Sequence, residues 1–506
     1  MKIFDGIVKR LARRINEREH DDRIKRVRHF YSAIQAAATG RTESQWTTWP
    51  ISPDNVVNKY LRTLIARSRH AVANNDHAKK FTQMVRDNVV GPNGFTLHAQ
   101  VQRSNSRIDE PANNAIEAAY RRQSRRESWD IAGKLSRTEF ERLWIQTIAT
   151  DGEAIAIIHQ GDYAGPTGFS LQMIDPLFID PQHNQILSQD RYIRHGIEFD
   201  HYGRTHAYYF RKYDEVHPQH VTYESQKYER VPAERVIHAF VPEMVGQKRG
   251  LPWMQTALWR MRMLQAYEDA AVTAARTKAS DMLLFKDEEG VIDNEQLEAF
   301  ELDVEAGIGR VLPAGLTPHN FHPTYPSGEF DVFTKSVLRS IASGLGVSYN
   351  NLSSDLTSVN FSSIRQGALE ERQMWRGLQE WVIDTFCRPI YERWLERALL
   401  TGEIKIDSGA PLNPSRINKY KKVHFIGRRW QWIDPSSEIA AHEKAIALKL
   451  ASRQGIIRES GADPYDIWQQ IAEEEKAMKE QGIDPTVYQP GAAKNNNSNT
   501  KEKETK

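Results

Sequence analysis

Asp151 and Glu153, separated only by Gly152, are the residues best placed by type and spacing to do chemistry, because paired carboxylates can hold a metal or divide acid and base roles. Asp175 extends the pair to the trio that a metal-dependent nuclease would use. Asp-Gly-Glu is equally the signature of a turn from helix to strand, and the spacing alone admits both readings. His195, His217, His220 and His238 follow without metal-ligand spacing, and a lone strand histidine commonly packs or hydrogen-bonds instead. His442-Glu443 opens an HExxH pattern, but Ile446 stands where the second zinc ligand belongs. The sequence has no GxxxxGK(S/T) phosphate loop, no GxGxxG fingerprint and no GxSxG nucleophile elbow. Cys387, the one cysteine, lies near Trp381, Phe386 and Ile390, the surroundings of a buried thiol. It excludes an intrachain disulfide and a Cys-rich metal site. These residues form no catalytic constellation and call for no cofactor.

The elements that must position them follow from periodicity. Apolar residues at helical spacing run through 55–90, and Gly91-Pro92-Asn93-Gly94 stops them with turn chemistry. Residues 112–150 read as further helix, ending at Asp151-Gly152. The runs 153–159, 169–174, 192–199, 207–211 and 236–241 read as strands between Gly, Pro and Asp turns. A long helix is expected over 252–281, with Pro252 in its first turn, then strand, helix and strand at 282–285, 294–305 and 310–312. A second helix covers 330–344, a polar stretch 350–363, and a third helix 364–400. In that third helix Leu378, Trp381, Val382, Phe386, Ile390 and Trp394 recur on one face, and Pro389 should kink or break it. A strand at 423–432 and a helix at 437–452 follow. The end from Gly491 has the composition of a disordered tail. Residues 1–30 are dense in charge, with Ile3, Ile7, Leu11 and Ile15 at four-residue steps. They read as a solvated amphipathic helix or as a partner-binding arm.

The chain has 506 residues, more than one core usually serves, so several packed regions are expected. Its 68 Lys+Arg against 66 Asp+Glu leave a formal charge of +2, which argues against a protein that coats DNA by neutralising phosphates. It does not argue against one that DNA slides past. No run of 18 apolar residues and no secretory leader is evident, so a cytoplasmic protein without membrane contact is expected.

Several stretches, in order over roughly residues 25–475, resemble the lambda-like family of tailed-phage portal proteins. They begin with Leu61-Arg62-Thr63-Leu64-Ile65-Ala66-Arg67-Ser68-Arg69, Asp151-Gly152-Glu153-Ala154, Ile174-Asp175-Pro176 and His195-Gly196-Ile197-Glu198-Phe199-Asp200. Val236-Ile237-His238-Ala239-Phe240 then leads to Gln247-Lys248-Arg249-Gly250-Leu251-Pro252. Ile341-Ala342-Ser343-Gly344-Leu345-Gly346-Val347-Ser348-Tyr349, Asn360-Phe361-Ser362-Ser363-Ile364-Arg365 and the W-Q-W-I-D-P stretch from Trp430 complete the series.

The resemblance implies an α+β, mainly helical portal fold in a dodecameric ring. Residues 51–250 would be a wing that is helical and then β-rich. Residues 251–281 and 323–349 would be two stem helices, with 282–322 a clip between them. Residues 350–363 would be a tunnel loop, 364–436 the kinked wing helix with its return strand, and 437–480 a crown. Residues 1–50 and 481–506 would be a charged arm and a disordered tail.

Double-stranded DNA would pass along the channel, touching the polar Asn350, Asn351, Ser353, Ser354, Asp355, Thr357, Ser358 and Asn360. Lys278, Lys335 and Arg339 would make sparse contacts to it from the stem, or would pair with acids of a neighbouring subunit. Implied partners are terminase, the major capsid and scaffold proteins, and head-completion or tail-connector proteins. The implied place is the virion's portal vertex, reached from the host cytoplasm during assembly, and no enzymatic activity is implied. The competing classes are another phage adaptor ring protein and a metal-dependent DNA-processing enzyme built on Asp151, Glu153 and Asp175.

Overall fold

The computed structural model describes residues 47–103, 107–188, 190–212, 227–279, 283–287, 316–320, 330–357, 361–430, 435–460 and 464–483. The chain divides into two units, Met1–Val56 and Val57–Lys506. Of the first, residues 47–56 are described, and there the Ser52 carbonyl accepts the amides of Asn55 and Val56. The expected helix at 1–30, the histidines His217 and His220, the helix at 294–305, the strand at 310–312 and the tail from Gly491 lie outside the described residues.

Helices α1 (Pro53–Asn74) and α2 (Asp76–Val89) replace the single expected helix over 55–90. Asn75 interrupts it because its side chain accepts the Ala78 amide at 3.1 Å, the N-cap geometry that starts a helix afresh. Strand β1 (Thr96–Ala99) leads to α3 (Glu110–Gln123), the short α4 (Arg126–Trp129) and α5 (Arg137–Asp151). A reciprocal capping box between Ser136 and Glu139 opens α5. Gly152, in the left-handed region at φ 93°, closes it. Strand β2 (Glu153–Gln160) starts at the very next residue, and β3 (Phe169–Ile174) returns beside it.

The β-rich region holds two antiparallel sheets. Strand β2 lies between β3 and β9 (Val236–Phe240). The other sheet is a meander of β4 (Gln185–Ile186), β5 (Arg191–Arg194), β6 (Ile197–Asp200), β7 (Thr205–Arg211) and β8 (Tyr228–Pro232). One strand was expected over 192–199; the structure has a hairpin, with His195 and Gly196 at φ 54° and 77° forming its turn. Alternation of apolar residues continues through that turn, so periodicity alone reads as one strand. Ile155, Ile174, Ile179, Phe199, Phe210 and Val231 form the core of this region.

Helix α6 (Leu258–Ala279) starts after a turn, several residues later than expected. Strands β10 (Leu283–Asp287) and β11 (Leu316–Asn320) pair antiparallel, Leu283 opposite Asn320. Helix α7 (Phe330–Leu345) runs back antiparallel to α6. Thr256, just before α6, donates to the carbonyl of Gly344 near the end of α7, while Tyr267 stacks on Phe330 at 5.5 Å. The polar stretch, expected as a loop, begins with one helical turn, α8 (Tyr349–Ser353), capped by the Ser348 hydroxyl.

Helices α9 (Phe361–Val382) and α10 (Arg388–Leu400) form the expected third helix. Pro389 neither breaks nor ends it. The five residues Ile383–Cys387 widen into a π-helical turn just ahead of the proline, giving room where an α-helical carbonyl would meet the ring. The short α11 (Ile417–Tyr420) precedes β12 (Val423–Ile426), which pairs with β1 and ends earlier than the expected 423–432. Helices α12 (Pro435–Ala447), α13 (Arg453–Ser460) and α14 (Pro464–Glu480) end the described chain.

The main core is aromatic. Tyr120 meets Trp129, Tyr391, Trp394 and Phe425 edge-on at 5.0–6.5 Å, and Phe386 packs on Trp144 at 4.6 Å. Cys387 is buried among them, and burial pushes its thiol well above the ordinary range, as expected for an inert packing residue. Trp394 is fully buried at the centre. Trp394→Ala should cost about 3–5 kcal/mol, the usual loss for truncating a buried Trp, read as a lowered denaturation midpoint. A variant with an unchanged midpoint would show that this cluster does not organise the core.

Candidate functional site

Among the described residues, the fragments Arg69, Asp151-Gly152-Glu153, Asp175-Pro176, His195, His238 and Arg249-Gly250, distant in sequence, meet around the first residue of β2. Arg249 and Glu153 are both fully buried. The Arg249 Nε donates to Glu153 Oε1 and Oε2 at 2.8 and 2.9 Å, and its Nη2 to Oε1 at 2.5 Å. The remaining N–H groups reach backbone carbonyls: Pro176 at 3.0 Å, and Ile179 and His195 at 3.1 Å each. Every donor of the guanidinium therefore has an acceptor. Glu153 also receives the Gly250 amide at 3.0 Å and contacts His238 Nε2 at 3.0 Å. Burial pushes the Glu153 carboxyl up, but the Arg249 charge and the contact with His238 outweigh it and hold the group at about 2.

Two glycines allow this approach. A Cβ on Gly152 would lie 2.2 Å from the Leu251 backbone, and one on Gly250 would lie 2.0 Å from the Gly152 carbonyl oxygen. Gly152 must also hold its positive φ, so it is required both sterically and conformationally.

Beside this pair, Arg69 of α1 clamps the other two carboxylates. It donates to both oxygens of Asp151, at 2.9 and 2.7 Å, and to both of Asp175, at 2.9 and 2.7 Å. Burial alone would lower the Arg69 pKa, and these two partners raise it instead. The three acids weighed as a metal or acid–base site are thus held by two arginines. Among the described residues no group of three or more His, Cys, Asp or Glu is arranged to hold a metal.

The polar stretch forms a second cluster. Ser348 Oγ and Asn351 Nδ2 donate to Glu371 of α9 at 2.9 and 2.6 Å. Asp355 accepts from the Tyr349 hydroxyl at 2.8 Å and from Thr357 Oγ1 at 2.5 Å, and Lys335 stands 3.8 Å away. Hydrogen bonds from Thr357, with the charge of Lys335, hold the Asp355 carboxyl well below its usual range. Lys335 pairs more closely with Asp331 at 2.8 Å, and Arg339 lies over the Tyr349 ring at 5.3 Å. The fold therefore gathers Lys335, Arg339, Asn351, Asp355 and Thr357 in one place. Ser353 donates to the Tyr349 carbonyl, Ser354 takes the left-handed conformation at φ 57°, and Asn350 is half-buried in α8. Lys278 falls in the last turn of α6. Ser358 and Asn360 lie outside the described residues.

The sequence reading missed Arg69, Arg249 and Glu371 as site residues. Arg69 and Arg249 stood within the quoted stretches, but nothing in their spacing said which carboxylates they meet.

The architecture is mixed α+β, with helices predominant around small antiparallel sheets. The model of the family described as phage portal protein, lambda family, matches residues 39–379. A probable portal protein of Halomonas phage phiHAP-1 is 31% identical over 446 residues, covering 86% of this chain and 84% of that protein. Portal protein B of Escherichia phage lambda is 23% identical over 466 residues, covering 84% and 86%. Among solved structures, the neck of a native GTA particle, computed with C12 symmetry, aligns with a TM-score of 0.41 and 14% identity, over 80% of this chain and 94% of that one. The chain belongs to the lambda family of phage portal proteins. Its role is that of a phage portal vertex protein, a structural role, and neither the adaptor-ring nor the DNA-processing alternative is favoured.

Removing the Arg249 side chain leaves Glu153 buried without its main counter-charge, which should cost about 3–5 kcal/mol. The pH dependence has a definite sign. With the folded pKa depressed from 4.5 to about 2, Glu153 contributes stability that is fully present above the ordinary value and is lost as pH falls from about 4.5 towards 2. Denaturation midpoints followed from pH 6 to pH 3 should fall less steeply in Arg249→Ala than in the parent, from a lower starting point. Parallel curves would show that the pair does not set this part of the acid response.

Proposed function

We propose that about twelve copies close into a ring with cyclic symmetry and that double-stranded DNA passes through it during packaging and ejection. The observation that carries this reading is the antiparallel pair α6 and α7, which flanks the β10–β11 ribbon and leads into the polar α8 segment. Both helices keep large apolar side chains exposed in the single chain: Trp259, Met263 and Val272 on α6, and Val332 and Phe333 on α7. Apolar side chains so placed fit burial against a neighbouring subunit.

In this reading α6 and α7 are the stem helices and 282–322 the clip. Residues 51–250 form the wing, and 364–436 the wing helix and return strand. Residues 437–480 form the crown, with 1–50 an arm and 481–506 a tail. Residues 350–363 form the loop that narrows the channel, and the polar contacts of α8 support its part. A passage for any DNA sequence must avoid base readout and strong phosphate grip, because each neutralised phosphate adds salt-dependent affinity and hence drag. The charge of Lys335 already faces Asp331 and Asp355, and that of Arg339 lies on an aromatic face, so both are moderated where DNA would pass.

The ring would stand at the portal vertex of the virion after assembly in the host cytoplasm. It would receive DNA from terminase, sit among the major capsid and scaffold proteins, and later hold head-completion or connector proteins. It would need no cofactor and catalyse no reaction, the motor's ATP hydrolysis belonging to terminase.

Light scattering combined with negative-stain microscopy of the purified chain tests this. A ring of about twelve copies with a central hole is expected. A compact monomer at high concentration and at every salt tested would overturn the proposal.

A further inference from the structure

A cleft of about 720 Å³ lies between the loop joining β2 to β3, at Gly165-Pro166-Thr167-Gly168, and the end of α10. Its walls bring together Arg122 from the last turn of α3, Arg397 from α10, and Lys405. Among the described residues, Arg122 and Lys405 make no ion pair or side-chain hydrogen bond, and both are exposed. Arg397 has only a loose ion pair, at 3.8 Å, with the fully exposed Asp162. Its buried Nε has no hydrogen-bond partner. The positive surface continues beyond the cleft along Arg121-Arg122-Gln123-Ser124-Arg125-Arg126, where Arg121 is 78% exposed and only loosely paired with Glu117. In a chain of formal charge +2, this is a local concentration of cations with few acids to meet them.

Three features of the cleft set the kind of anion it suits. Asp162 and Glu403 stand on its wall, and α3 and α10 both end there, bringing the partial negative charge of helix C-termini. A phosphodiester backbone, negative at every step, would meet repulsion from these groups. A polypeptide carries carboxylates at intervals, with amide donors and acceptors between them. Glu403 has a buried oxygen without a hydrogen-bond partner, and burial raises its pKa above the ordinary range, so it tolerates a neighbouring acid better than an exposed glutamate would. Guanidinium forks match carboxylates in two-point contact.

We propose that this cleft and its arginine margin dock an acidic, carboxylate-rich segment of a partner protein. The proposal is independent of the channel reading, since it uses none of the α6–α8 residues.

The test uses the full chain and a fluorescent peptide of alternating Glu and Gly, about ten residues long, followed by anisotropy at ~50 mM salt, where screening is modest. Arg122→Glu with Lys405→Glu, both at exposed positions, should weaken binding about tenfold or more, while Lys476→Glu on the exposed face of α14 should leave it unchanged. Far-UV circular dichroism checks that the variants fold. No binding by the parent chain, or equal weakening by Lys476→Glu, would overturn the proposal. So would a duplex oligonucleotide that binds more tightly than the peptide and depends on the same two residues, which would assign the surface to nucleic acid.

Discussion

A guanidinium taken wholly out of water must find an acceptor for each of its N–H groups, because an unpaired buried charge costs several kcal/mol. In this protein the acceptors of Arg249 come from Glu153 at the start of β2, from Pro176 and Ile179 beyond β3, and from His195 in the β5–β6 turn. That requirement fixes both sheets and the segment entering α6 relative to one another. Gly152 and Gly250 let the two chains approach backbone to backbone, and Arg69 clamps Asp151 and Asp175 alongside. A buried ion pair is seldom the cheapest way to stabilise a core, but its directional bonds specify one arrangement where apolar packing would admit several.

From this node the long α6–α7 pair leaves the sheets and returns to the helical core, where Ile341, Ala342 and Leu345 pack. A portal protein needs this division of labour. The part that faces neighbours and cargo can present apolar and mildly polar surface only if a rigid body holds its root. The polar cluster around Asp355 and Glu371 has the same logic on a smaller scale: its hydrogen bonds are satisfied internally, leaving little to grip a passing polyanion.

Much of this was legible in the sequence. Strands β2, β3, β7 and β9 follow from apolar runs bounded by turns, and α7 from helical spacing. The order of helix, ribbon, helix and polar segment was visible before any coordinate. The misses have physical causes. Asn75 splits a helix through a local side-chain cap that competes with propensity, and His195-Gly196 turns a strand on itself without disturbing its alternation. Pro389 is absorbed by a π turn, because tertiary packing around Phe386 and Trp394 holds the helix together. The carboxylates Asp151, Glu153 and Asp175 were visible as a group, yet what they do depends on Arg69 and Arg249, which lie 82 and 96 residues from the acids they meet. No local spacing encodes such pairings.

Amide hydrogen exchange on Arg249→Lys tests the central claim most directly, since lysine keeps the charge but has only three donors on a point-like head. If the node ties the sheets to the root of α6, protection should fall together at residues 176–179, 195–197 and 249–253, while the helices around Trp394 keep theirs. Loss confined to the immediate neighbours of position 249, or spread evenly over the whole chain, would contradict that account.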